Sequence, residues 1–248
     1  MDQIEQPPAC ICRVDDCILC EARLFSGLSS DQVCDIKGII SKHTFRKREV
    51  LFREGDPCDR LFVVKEGMIK LSKSLPDGRE QVMCPRGAGQ LVGFCSPSGN
   101  TYPMTAVALT DVNTCSIDQK DMNRVLKQNP DAAMEVIGLL SQELGQSQAM
   151  ICNLGLKTAT EKVASFILSL APADAGETVH IPLPLSRQEI GEMLGLTVET
   201  VSRIMAELRR EKILDSPRGG IELLSLSRLK ALSGDQMTEA EYLGVASR

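Results

Sequence analysis

The sequence predicts an α+β chain in three parts: an N-terminal β-roll, a long helix, and a C-terminal winged helix-turn-helix. Three observations carry this. Short β-branched and apolar runs, punctuated by Gly, Pro, Asp and Asn, recur from about His43 to Ile117; that is the texture of an all-β sandwich or barrel. One apolar seam then runs from Asp131 to about Asn153, and two short helical patterns meet at a glycine within residues 185–214. The 248 residues suffice for two ordinary domains. The expected divisions are a cysteine-rich arm at 1–22, the roll at 23–129 and a dimerisation helix at 130–154. The winged helix-turn-helix follows at 155–234, and a flexible tail at 235–248.

Taken in order, the arm is irregular, with two prolines at 7–8. From Leu24 to Ser41 the residues Val33, Ile36, Ile39 and Ile40 fall at helical spacings, with Ser29 or Ser30 as cap. The roll's strands are read in EVLFREGD, RLFVVKEG, MIKLSKSLPDG, EQVMCPRGAG, QLVGF and MTAVALTDVNTCSI. Pro76-Asp77-Gly78 supplies a turn, because proline presets φ and glycine admits a positive one. Asp118 to Leu126 suits a short helix, and Asn129-Pro130 opens the long one. Along it, Ile137, Leu140, Leu144, Ser147 and Ile151 follow steps of three and four, forming one face. That face suits a dimer interface; packing against the chain's own roll is the other reading. Residues 158–170 form a further helix with Thr158 and Glu161 spaced as a capping box, and HIPLPL an extended segment.

The stretch LSRQEIGEMLGLTVETVSRIMAELRREKIL is the most specific signal. Ser186 and Glu189 form a capping box, and Ile190 and Leu194 face inward. Gly195 stops the first helix. Thr197 and Thr200 open the second, whose buried stripe is Val201, Ile204 and Leu208. Its exposed N-terminal face carries Glu199, Ser202 and Arg203. In such a motif that face enters the major groove. There arginine can grip guanine O6 and N7, glutamate can accept from cytosine N4, and serine can meet a nearby base edge. An internal Glu199–Arg203 pair at i,i+4 on a solvated face is the plainer alternative. Arg209, Arg210 and Lys212 add phosphate-binding charge, and Arg218 lies in a hairpin wing formed by Ile213-Leu214 and Ile221–Leu224.

Composition narrows the function. Hydrophobic residues at 43% and charged residues at 25% match a soluble globular protein. No apolar run reaches the ~20 residues of a membrane helix, and the N-terminus lacks a secretory pattern; the expectation is a cytoplasmic protein with no membrane partner. The net charge of −5 does not decide against double-stranded DNA, because phosphate binding follows local charge. No Trp, two Tyr and six Phe leave little for a base-stacking single-strand binder. Two histidines, no phosphate loop and no nucleophile motif argue against an enzyme and give haem little support.

The order roll, long helix, winged helix-turn-helix resembles the cyclic-AMP-receptor/fumarate-nitrate-reduction (CRP/FNR) regulator family over about residues 20–234. FREGDPCDRLFVVKEGMIKL, QLVGF with the region through VNTCSID, and LGLTVETVSRI carry the resemblance. It implies a cyclic-nucleotide-binding-like sensor roll, a homodimer, RNA polymerase as a partner, and a TTGAT-N4-ATCAA-like operator whose palindrome matches the dimer axis. The nucleotide-binding branch has a Gly-Glu pair for the ribose and an Arg-Ser for the phosphate. Here Leu91-Val92-Gly93-Phe94 and Tyr102-Pro103-Met104-Thr105 stand instead. Without the arginine a buried phosphate is unpaired, so cyclic AMP is not expected, nor is a cyclic-nucleotide signalling module.

Ten cysteines complete the reading, with Cys10, Cys12, Cys17 and Cys20 inside eleven residues. By resemblance to the redox-sensing branch, Cys12, Cys17, Cys20 and Cys115 would hold an iron–sulfur cluster of the [4Fe–4S] type, with Cys10 as substitute. The arm's spacing departs from that branch, which has its two-residue gap first. Two other chemistries stay open: a thiol–disulfide switch at Cys17 and Cys20, or zinc with Cys10 and Cys12. Cys34, Cys84 and Cys152 read as small buried hydrophobes.

Overall fold

The computed structural model describes residues 39–83, 85–95, 100–172, 174–217 and 219–234. The predicted helix over Leu24–Ser41 lies almost wholly outside these residues. Its last three positions do not: Ile39 lies in a turn, and Ile40 and Ser41 open strand β1 (Ile40–Phe45). Ile40 pairs with Ile117 and Ser41 with Ser116, and a short apolar run can satisfy either period until a partner strand decides.

Seven further strands complete the roll: β2 (Val50–Phe52), β3 (Arg60–Glu66), β4 (Ile69–Ser74), β5 (Glu80–Val82), β6 (Leu91–Val92), β7 (Thr105–Ala108) and β8 (Val112–Asp118). They form two four-stranded antiparallel sheets, ordered β1-β8-β3-β6 and β2-β7-β4-β5. Between the sheets lie Phe52, Phe62, Val64, Ile69, Leu71, Val92, Tyr102, Ala106 and Val112. The other face of the first sheet presents Ile40, Leu61, Val63, Leu91, Cys115 and Ile117 to the helix α1 (Gln119–Gln128). Burial on both faces explains why β3 carries a continuous apolar run, Leu61 to Val64, rather than an alternating one. The β3–β4 turn depends on Gly67, at φ +87°, where an added Cβ would fall 2.2 Å from the Asp111 carbonyl oxygen.

The long helix α2 spans Pro130–Leu156. The chain divides into two compact units within it, between Leu140 and Ser141. In the second unit follow α3 (Ala159–Leu170), β9 (Val179–Pro182), α4 (Arg187–Leu194), α5 (Val198–Arg210), β10 (Leu214–Asp215), β11 (Gly220–Leu223) and α6 (Leu226–Ser233). The Thr158/Glu161 capping box is formed, and β10-β11-β9 make a three-stranded antiparallel wing sheet. Helix α6 is an element the sequence reading did not mark. Its eight residues hold one fully buried apolar anchor, Leu229, with Ser233 the other buried residue, too little apolar period to show in sequence alone.

Candidate nucleic-acid interface

The helix-turn-helix is built from local chemistry. Ser186 Oγ accepts from the Glu189 amide at 3.2 Å, while the Glu189 carboxylate accepts from the Ser186 amide at 2.8 Å. Two of the free amides at the start of α4 are thereby satisfied. Gly195 closes α4 in the left-handed conformation at φ 63°. The turn then passes so near α4 that a Cβ on Gly191 would sit 2.6 Å from the Leu196 carbonyl oxygen. Thr197 caps α5 by accepting from the Thr200 amide at 3.2 Å.

Helix α5 buries Val201, Ile204, Met205 and Leu208 and leaves Glu199, Ser202 and Arg203 exposed on its first turns. The plainer alternative of a Glu199–Arg203 pair is not what forms: Arg203 Nη1 lies 3.6 Å from Glu207 one turn on. Glu199 makes no ion pair among the described residues. Its carboxylate is a free acceptor at the positive end of the helix. Thr197 is exposed, Thr200 half-buried, and Arg209 and Arg210 are exposed at the far end of α5. Arg218 lies outside the described residues.

Two residues here escaped the sequence reading. Arg187, at the first position of α4, donates from Nη2 to Ser216 Oγ. Burial, and then the nearby Arg209 charge, pull its guanidinium below the usual value. Neither arginine has a carboxylate partner among the described residues, so the two form a like-charged pair beside a helix N-terminus. Such a pair is suited to an anion. The signal that could have found Arg187 is its place directly after the Ser186 cap. The other is Val198, an apolar side chain left 40% exposed beside Glu199.

The long helix splits its apolar residues between two fates. Val136 and Leu139 pack on the first sheet's apolar layer. Ile137, Leu140, Leu144 and Ile151 stay exposed. Ser147, between the last two, donates to the Glu143 carbonyl at 2.9 Å. Packing on the roll therefore accounts for Val136 and Leu139, and the exposed face is the one the sequence suits to a dimer.

In the roll, Cys115 is 2% exposed, on β8, within the layer facing α1. Cys10, Cys12, Cys17 and Cys20, like Cys34 and Cys84, lie outside the described residues; Cys152 is half-buried on α2. Among the described residues no group of three or more His, Cys, Asp or Glu could hold a metal ion. Cys58 and Cys95, left unassigned by the sequence reading, are joined in a disulfide.

The histidines are otherwise engaged. His43 Nε2 sits 2.8 Å from Ser116 Oγ and 3.2 Å from Arg60 Nη1. Arginine can only donate, so Nε2 accepts and the ring is neutral. In accord, burial and then the Arg60 charge hold its pKa below the usual histidine value. Arg60 also pairs with Asp118 at 3.3 Å. His180 Nδ1 lies 2.6 Å from Glu222 on the wing. Tyr102, in the stretch that offers no arginine, stacks on Phe52 with ring centroids 3.9 Å apart and donates to the Arg60 carbonyl at 2.9 Å. Burial pushes its phenol up to about 12.

Known proteins align with both units. Residues 42–129 match the cyclic nucleotide-binding domain, and residues 161–232 the Crp-like helix-turn-helix domain. The transcriptional activator protein anr of Pseudomonas aeruginosa is 30% identical over 226 residues, 90% of this chain and 93% of that protein. The nitrogen fixation regulation protein FixK of Bradyrhizobium diazoefficiens is 33% identical over 223 residues, 88% of this chain and 92% of that protein. The solved structure of FixK2 from Bradyrhizobium japonicum superposes with a TM-score of 0.72 at 29% identity, covering 80% of this chain and all of that one. No helix among the described residues is long and apolar enough to cross a membrane. With a cyclic-nucleotide-type roll, a Crp-like helix-turn-helix and relatives that are regulators rather than enzymes, the chain belongs to the Crp/Fnr family of DNA-binding transcription regulators.

Proposed function

We propose that this chain is an FNR-type regulator that binds a TTGAT-N4-ATCAA-like palindrome as a homodimer in the cytoplasm and reads oxygen, redox state or nitric oxide. One observation carries the DNA reading: Glu199, Ser202 and Arg203 stand exposed at the N-terminal face of α5 while the opposite face is buried. Arg203 reads guanine, Glu199 reads cytosine N4, Ser202 meets an adjacent edge, and Val198 suits a thymine methyl. Thr197, Thr200, Arg187, Arg209 and Arg210 supply phosphate contacts, joined by Arg218 from the wing. The exposed stripe of Ile137, Leu140, Leu144 and Ile151, with Ser147 among them, is the surface for the second copy. Ser147 carries no charge, so that position adds no carboxylate repulsion to pairing.

For the sensor, Cys115 on β8 offers a soft sulfur ligand in an apolar layer, where a metal's positive charge would offset the cost of burying its thiolate. Its partners would be Cys12, Cys17 and Cys20, with Cys10 as substitute. When bound, an iron–sulfur cluster would supply an oxidation-labile link between the arm and β8. Cys115 shares its layer with Met122 and Val125 of α1 and Val136 and Leu139 of α2, so a cluster held there would be felt at the start of the long helix. Cyclic AMP is not the effector in this reading: Tyr102 and Phe52 fill the interior with a stacked pair, and Arg60 is committed to Asp118 and His43.

The test is anaerobic purification, metal and sulfide analysis, and anisotropy on the palindromic duplex. About four iron and four sulfide per monomer are expected, absent in Cys115→Ala. Arg203→Ala should weaken duplex binding by roughly 5- to 150-fold. Iron-free wild-type protein would sink the cluster, and unchanged affinity in Arg203→Ala would sink the recognition assignment.

A further inference from the structure

Cys58 precedes β3 and Cys95 follows β6, 37 positions apart in sequence. The β3–β6 pairing, Phe62 opposite Val92 and Val63 opposite Leu91, brings the two loops together. Their Cα atoms are 5.5 Å apart and their sulfurs are bonded, a spacing any ordinary disulfide adopts.

The same backbone also suits the reduced pair. Cys58 Sγ lies 3.3 Å from the Gly93 carbonyl oxygen, and Cys95 Sγ lies 3.3 Å from the Cys58 carbonyl oxygen. Each thiol proton therefore has an acceptor waiting. Access is unequal, since Cys58 is buried and Cys95 half-buried. The neighbourhood reaches α1. Gln119, its first residue, donates its backbone N–H to the Asp59 carbonyl at 2.8 Å. The Gln119 side-chain amide donates to the Gly93 carbonyl at 3.5 Å and comes within 3.9 Å of Cys58 Sγ.

We infer that Cys58 and Cys95 are a reversible thiol–disulfide site whose state is read at the N-terminal turn of α1 through Gln119. The oxidant is a hydroperoxide. The half-exposed Cys95 thiolate attacks one peroxide oxygen, the O–O bond breaks, and a sulfenic acid forms as water or an alcohol leaves. Cys58 sulfur then attacks that sulfenyl sulfur, the S–S bond forms, and a second water carries away the oxygen. Two thiols have lost two electrons to one peroxide. A small dithiol reverses the step by exchange at Cys95, the more accessible sulfur. The site uses none of the arm's cysteines. Its cycling rests on the reading that the regulator works in a reducing compartment, where a disulfide does not simply persist.

The experiment uses the full chain, treated with stoichiometric hydrogen peroxide, then alkylated, digested and mapped by mass spectrometry. A Cys58–Cys95 crosslinked peptide should form with peroxide and vanish when the native protein meets dithiothreitol. Hydrogen exchange over residues 119–128 should differ several-fold between the two states. Gln119→Ala should erase that difference while leaving the crosslink. Cys95→Ser, at the half-exposed position, should abolish both; Cys58→Ser serves as the second variant. Thiols that remain alkylatable after peroxide, or a crosslink that resists dithiothreitol in the native protein, would overturn the site. Equal exchange in both states would overturn its coupling to α1. Duplex binding is read separately, so loss of the DNA reading would leave the peptide map unaffected.

Discussion

Helices α5 and α2 are both amphipathic, and they settle their apolar faces in opposite ways. In α5 the stripe Val201, Ile204, Met205 and Leu208 is buried within the chain, and the polar face is what remains exposed. In α2 only Ala132 is fully buried, and Ile137, Leu140, Leu144 and Ile151 remain from 43% to 68% exposed. Helix α5 finds cover for its apolar face within the chain; α2 leaves much of its own uncovered. An apolar stripe of this length in water is costly, and its heptad-like spacing fits a second copy of itself.

Breaking the long helix's stripe should have the largest effect. Leu144→Asp removes a leucine that pairing would bury on each side, about 1.5–3 kcal/mol apiece, so the dimer dissociation constant should rise by roughly a hundredfold or more. Sedimentation at micromolar concentration reads this, and an unchanged dimer would return the stripe to an idle surface. Next comes Ile204→Ala in α5, where a fully buried side chain leaves a cavity. About 2–5 kcal/mol of unfolding free energy should go, with dimerisation spared. Denaturant melts check it, and a loss shared equally by both properties would erase the distinction between the two helices. Removing the α5 cap is gentler: Thr197→Ala should cost about 1 kcal/mol, visible as earlier amide exchange in its first turn.

The smallest effect expected is on pH, and it belongs to the roll that carries α2. Burial and Arg60 lower the His43 pKa in the folded state below 6.5. The unfolded chain therefore binds the proton first, so stability is full above about pH 6.5 and falls as the pH drops toward the folded value. Unfolding midpoints at pH 7.5 and 5.5 should converge once His43→Gln removes the titrating ring. A pH slope unchanged in that variant would assign the effect elsewhere.

The recognition unit was legible because its information is local. The Ser186/Glu189 box, the Gly195 stop, the Thr197 cap and the α5 stripe all act within four residues along the chain. Hydrogen bonds of that reach follow from residue type and spacing alone. The strands of the roll were legible too, because turn residues mark their ends. What the sequence could not convey was partnership at a distance. The end of the predicted helix at Ser41 gave way to a strand because Ile40 lies opposite Ile117. Arg203 turned toward Glu207 rather than Glu199, although both carboxylates sit four residues away and spacing alone favours neither.

By itself, then, the sequence determined the division into roll, long helix and winged helix-turn-helix, and the face of α5 that stands free. These follow from periodicity, caps and turn chemistry, which are properties of neighbouring residues. Only the tertiary structure decided that Cys58 meets Cys95, that His43 accepts from Arg60 beside Ser116, and that Arg187 shares its surroundings with Arg209. Those meetings depend on which strands and helices pack together, and no spacing along the chain encodes them.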